Sequence, residues 1–170
     1  MAADAPVESG VRARRVDRIA LLVGTGALVV GVLLGVAGMA TLGRTPANPA
    51  EAIARQWLAA LQAKDLAAME APFAADATWD DGATGEHFTG GPQAESAGWG
   101  EALGTIQAVN DAHILGLGEG VAVAAYTLHT TPPSSPITPI DIPFVSVLYV
   151  RDGHITNETI YYNPKLAYGS

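Results

Sequence analysis

Cysteine is absent from this chain, which excludes disulfides, thiol nucleophiles and cysteine-ligated zinc. Basic residues are scarce: nine lysines and arginines stand against seventeen acids, and five of the nine are arginines within residues 1–44. The rest of the chain holds four basic and fourteen acidic residues, a balance that repels phosphates and argues against a nucleic-acid partner. The four histidines form neither H-x-H nor H-E-x-x-H, so no metal site and no cofactor is expected. Aromatic residues make up only 6% of the chain, which directs attention to where the three tryptophans fall: Trp57, Trp79 and Trp99.

What the chain does have is one long uncharged run. Residues 19–42 carry no charge, and as a helix they reach roughly 36 Å, enough to cross a hydrocarbon core of about 30 Å. Four arginines precede the run and one follows it, so the N-terminus is expected in the cytoplasm and the remainder outside, at the plasma membrane. A cleaved signal peptide is the competing reading, with Gly38-Met39-Ala40 as a small-x-small step, but the run exceeds an ordinary signal core of about 7 to 15 residues. The expected organisation is a tail over residues 1–18, a transmembrane helix over 19–42, a linker over 43–48 and a domain over 49–170.

Within the domain, Asn48-Pro49-Ala50-Glu51 carries a cap, a first-turn proline and a capping-box glutamate in order, predicting a helix with Ile53, Trp57, Leu58 and Leu61 on one face. Asp65 caps a second short helix, whose apolar set continues through Leu66 and Met69 to Phe73. Pro72 stops helical continuation, and Ala77-Thr78-Trp79 reads as a short strand emptying into Asp80, Asp81 and Gly82. Side chains alternate along a strand, so Asp81 is expected to face inward beside Trp79 while Asp80 faces solvent. Gly90-Gly91-Pro92 opens a helix that carries Trp99.

From residue 105 the period changes to two. Residues 105–115, 121–131, 144–151 and 155–163 predict four long strands of an antiparallel sheet, joined in part by a proline-rich loop and a tight Asp152-Gly153 turn. Val145, Val147 and Tyr149 share the face opposite Phe144 and Leu148; an apolar outer face of this kind predicts a homodimer. Asn157-Glu158-Thr159 matches a glycosylation sequon, but it lies inside a predicted strand.

The Phe-Ala-Ala-Asp-Ala-Thr-Trp-Asp-Asp segment, the Gly-Gly-Pro helix start, and strands ending in Asp-Gly-His-Ile and Tyr-Tyr-Asn-Pro together resemble the SnoaL-like branch of the nuclear transport factor 2-like superfamily over about residues 49–164. The resemblance implies an α+β fold, a cone-shaped barrel with helices packed in a curved antiparallel sheet, whose mouth holds a small, mostly apolar ligand. It places the general base of ketosteroid isomerases on Asp81, but puts Trp57 and Ser146 at or near the two oxyanion donors. The carboxylate that epoxide hydrolases carry in the last strand falls on Ile160. A polyketide cyclase would pair Asp81 with His87, His113 or His129.

With one of three isomerase positions kept, the expected function is a membrane-anchored domain that binds a small apolar ligand or a membrane-associated protein without catalysis. The expected ligand-binding residues are Trp57, Phe73, Trp79, Trp99, Tyr126 and Ser146. The alternative is a lyase, isomerase or cyclase acting on a small carbonyl compound, with Asp81 as general base. A cavity into which Asp81 points favours chemistry, whereas one plugged by Trp57 and Trp99 favours binding alone.

Overall fold

The computed structural model describes residues 48–118 and 120–169. The tail, the proposed membrane helix and nearly all of the linker lie outside the described residues, and among the described residues no helix is long and apolar enough to cross a membrane.

Helix α1 (Pro49–Ala63) begins where its cap does: the Asn48 side chain accepts from the Ala50 amide at 2.8 Å, Pro49 occupies the first turn, and Lys64 ends the helix in the left-handed conformation. Its apolar face buries Ala54, Trp57, Leu58 and Leu61. Asp65 caps the short α2 (Leu66–Glu70), accepting from the Ala68 amide, and Met69 is buried there. Strand β1 (Phe73–Asp81) starts earlier than its sequence pattern suggests, because Phe73 belongs to the strand and not to the helix before it. After β2 (His87–Thr89) comes α3 (Pro92–Leu103), which lies close against β1. A Cβ at Gly98 would overlap the Trp79 ring, so glycine at this position permits the approach.

The long strands follow as β3 (Ile106–Gly116), β4 (Val121–Thr130), β5 (Ile140–Arg151) and β6 (His154–Tyr162), and a short α4 (Pro164–Tyr168) closes the described chain. Asp152 and Gly153 both have positive φ, the requirement of the two-residue turn that joins β5 to β6. Trp57, Trp79, Trp99, Met69, Ile142, Leu148 and Ile155 form the centre of one core.

The six strands are ordered β2-β1-β6-β5-β4-β3, and β1 runs parallel to β6 while every other pairing is antiparallel. This corrects the expected fold class in two respects. The sheet is mixed, not antiparallel throughout, and it is open, with β2 and β3 as unpaired edges, so there is no cone-shaped barrel. The physical reason lies in the edges. A three-residue β2 offers no ladder to the eleven-residue β3, and the covering of the inner face falls to the helices. The α+β class itself stands.

Candidate active site

The parallel register sets Asp81 opposite Ile160 and Asp80 opposite Thr159, so alternation sends the two aspartates to opposite faces. Asp80 faces outward, where His87 Nδ1 lies 2.6 Å from its Oδ1 and Asn157 donates to its Oδ2. Asp81 faces inward and is 3% exposed. The turn after β1 holds its carboxylate: the Ala83 and Thr84 amides donate to Oδ1 at 2.7 and 3.0 Å, and the Tyr162 hydroxyl donates to Oδ2 at 2.7 Å. Tyr162 stacks on Phe144 with ring centroids 4.7 Å apart, and the Tyr168 hydroxyl lies 3.3 Å from its own. Burial, with the Tyr168 hydroxyl and the Asp81 carboxylate adding to it, pushes the Tyr162 phenol above its ordinary range, so Tyr162 remains a proton donor.

Asp81 and Tyr162 stand in the wall of a cavity of about 540 Å³. Its aliphatic side is built by Ile106, Leu128 and Ile142, and its rim includes Pro132 and Pro133 of the proline-rich loop. Helix α4 borders it through Ala167 and Tyr168, held to that loop by Ser134, which donates from its backbone to Ala167 O and from its side chain to Leu166 O.

Of the residues expected to bind a ligand, Trp79 and Trp99 line this cavity together with Asp81. Trp57, Phe73, Tyr126 and Ser146 do not. Phe73 is buried at the far end of β1, opposite Ile155. The other three belong to a closed polar knot in the core. The Trp57 indole donates to Glu95 Oε1 at 2.8 Å, the Trp99 indole lies 3.4 Å from Glu158 Oε2, and the Tyr126 and Ser146 hydroxyls are 2.9 Å apart.

Both glutamates are fully buried, and Glu95 Oε2 and Glu158 Oε1 have no donor among the described residues. The two carboxyls are within hydrogen-bonding reach of one another, so a proton shared between them satisfies both. Burial, then the charge of Glu158, raises Glu95 well above the carboxylate range; burial pushes Glu158 up to about 7 against the opposing hydrogen bonds of Glu95, Ser146 and Trp99. The pair therefore keeps a proton more readily than exposed carboxyls do.

No histidine meets Asp81. His87 pairs with Asp80, His129 with Asp141 at 2.8 Å, and His113 sits opposite Ala125 on the outer face. An aspartate–histidine pair of the polyketide-cyclase kind is thus not assembled here. Among the described residues no group of three or more potential ligands could hold a metal ion.

Sequence reasoning missed Phe88, Phe144, Tyr162, Tyr168, Glu86 and Glu101 as cavity residues. A signal existed for Tyr162, because alternation along β6 places it on the face of Ile160. Its meeting with Asp81 depended on the parallel β1–β6 pairing, which no local pattern announces.

An open mixed sheet with helices over one face and a cavity between them has the fold of the nuclear transport factor 2-like class. Within that class the chain belongs to the SnoaL-like domain family, whose model matches residues 54–158. Among solved structures it is similar to a candidate polyketide cyclase of Xanthomonas campestris pv. campestris, at 23% identity and a TM-score of 0.61, with 69% of this chain and 93% of that chain covered. It is similar also to a protein of Catenulispora acidiphila with a ketosteroid isomerase-like fold, in complex with trimethylamine, at 27% identity and a TM-score of 0.55, covering 73% and 91%. Among curated proteins none matches.

These findings overturn the expectation of a domain that only binds. Trp57 does not plug the cavity, Trp99 forms one of its walls, and the inward carboxylate is seated there with a proton donor on its second oxygen.

Proposed function

We propose that the domain is an enzyme of the lyase, isomerase or cyclase kind, acting on a small carbonyl compound with Asp81 as general base. The observation that carries this is the Asp81 carboxylate, buried in a cavity wall with Oδ1 fixed by two backbone amides and Oδ2 turned to a phenol. Fixing one oxygen orients the other toward the cavity, which is the geometry a base needs next to an acidic carbon. In this reading the entering carbonyl oxygen takes over the Tyr162 hydrogen bond, Asp81 Oδ2 removes the neighbouring C–H proton, and Tyr162 stabilises the enolate. The proton returns from Asp81 to another carbon of the enolate in an isomerase; in a cyclase the enolate carbon attacks a second carbonyl of the same molecule, whose oxygen takes that proton, and in a lyase the enolate expels a β-substituent that leaves with it. The relative crystallised with trimethylamine supports a cavity suited to a small ligand.

A panel of small ketones and aldehydes incubated with the protein in D2O, followed by proton NMR, tests the reading. At least one compound is expected to exchange its α-protons at least 100-fold faster than in buffer; exchange no faster than in buffer across the panel would overturn it.

Two proposals about placement accompany this one. Residues 19–42 tether the domain to the outer side of the membrane, read from the sequence alone; external protease on intact cells should remove the domain, and protection until lysis would reverse the orientation. Two copies pair over the outer face of β4 and β5, where Val145 is buried, Val147 half-buried and Tyr149 45% exposed. Sedimentation should find a dimer that Val147→Lys dissociates. A monomeric parent protein, or a variant still paired, contradicts it.

A further inference from the structure

The charges around the cavity all have one sign. Asp81 stands in the wall, and Glu86 and Glu101 join it at the more exposed side. Among the described residues no lysine, arginine or histidine lines the cavity, and Lys165 on α4 is not part of the lining. The end of α3 reaches the same space through Glu101 and Ala102, which brings the negative pole of a helix of three turns to it. An anionic substrate would meet repulsion from every one of these groups.

The remaining walls are aromatic. Phe88 packs on Trp79 with centroids 5.6 Å apart, and a continuous series runs from Trp99 through Phe144 and Tyr162 to Tyr168 at separations of 6.0, 4.7 and 6.4 Å. Each of these rings borders the cavity. Aromatic faces present negative charge density, and they attract soft, weakly hydrated cations that have few N–H groups to satisfy. A primary ammonium or a guanidinium would have to place its N–H groups on Asp81, Glu86, Glu101 and the Thr105 and Thr130 hydroxyls, since the rings and the Ile106, Leu128 and Ile142 side chains offer none, whereas an alkylated ammonium has few or no N–H groups to place.

We infer that the substrate of this cavity carries an alkylated ammonium group, seated among the aromatic rings with the carboxylates of Asp81, Glu86 and Glu101 around it. The inference rests on the catalytic reading in so far as it names a substrate: an alkylated amine that also bears the carbonyl on which Asp81 acts. Carboxylates and rings then do separate work. The rings select the cationic head by its softness, and Glu86 and Glu101, being more exposed, draw it in from solvent.

The test compares an isosteric pair, (2-hydroxyethyl)trimethylammonium and 3,3-dimethylbutan-1-ol, which differ in replacing a charged nitrogen by carbon. Ligand methyl signals titrated by NMR against the full chain should show the cation bound about tenfold more tightly. In the double variant Glu86→Gln, Glu101→Gln that advantage should shrink severalfold while the alcohol binds as before, which reports that the cavity is intact. Equal affinity for the two probes, or no binding of the cation at millimolar concentration, would overturn the inference and leave proton abstraction from a neutral carbonyl compound standing. Cation preference retained in a protein that exchanges no α-protons would instead remove the catalytic reading alone.

Discussion

Replacing Asp81 by asparagine is expected to slow α-proton exchange by roughly three orders of magnitude, within the 10²- to 10⁴-fold range for a positioned general base. Asparagine keeps the shape and the acceptor that the Ala83 and Thr84 amides require, and its amide group can donate to the Tyr162 oxygen, so the turn after β1 should survive. What it cannot do is take a proton from carbon. Asp80→Asn is the matched control, because Asp80 lies one residue away, on the other face of the sheet, paired with His87 and not with the cavity. That variant should exchange at nearly the parent rate, with at most a small loss of stability from a solvent-exposed ion pair. Equal losses in the two variants would mean that the effect comes from disturbing the strand end and not from chemistry at Asp81.

The second large effect concerns the buried glutamate pair and is read in stability. Glu95 and Glu158 both hold a proton more tightly in the folded chain than in the unfolded one, where a glutamate ionises near 4.5. Between that value and about 7 the folded state therefore binds more protons, and the sign of the linkage is that stability falls as pH rises through this window. Glu95, also raised, adds to the fall from the same starting point until it too ionises in the folded state. For Glu158 alone, a rise from 4.5 to about 7 corresponds to roughly 3 kcal/mol, enough to lower Tm by about 10 °C between pH 5 and pH 8 for a domain of this size.

Glu95→Gln supplies a permanent neutral donor to Glu158 and keeps an oxygen for the Trp57 indole. It should remove the part of the slope that Glu95 contributes, leave the part that burial of Glu158 causes, and raise Tm at pH 8 by several degrees. Thermal scans across this range check the prediction, and a variant with the parent slope would show that Glu95 holds no proton beyond its ordinary range.

These two carboxylate sites differ sharply in how far the sequence reveals them. Asp81 is legible because its signals are local: a proline stop, a short strand, and alternation that separates it from Asp80. The helix starts at Asn48, Asp65 and Gly91 are legible for the same reason, since caps act over three or four residues. Glu95 and Glu158 carry no such mark. Glu95 looks like an acid in the first turn of a helix, where solvent exposure is usual, and Glu158 reads as the middle of a sequon; their burial follows from each other and from Trp57 and Trp99.

The sheet shows the same division. Each strand announces itself through period two, but the order of strands does not, and the parallel β1–β6 pairing joins segments about 80 residues apart. That pairing decides both the site, by setting Tyr162 beside Asp81, and the open architecture, by leaving β2 and β3 as edges. The expectation that Trp57 binds the ligand failed on a related point. Trp57 finds a hydrogen-bond partner in Glu95, so its indole is drawn into the core and away from the cavity.

The central claim is that a carboxylate inside this cavity acts on a bound carbonyl compound. An α-bromoketone small enough for a cavity of about 540 Å³ tests it in one measurement, since displacement of bromide by a carboxylate leaves an ester whose position mass spectrometry can read. The account predicts one equivalent of label on Asp81, none on Asp80, and loss of α-proton exchange in proportion to the label incorporated. Label confined to other carboxylates, or exchange that persists when Asp81 is fully esterified, would contradict it.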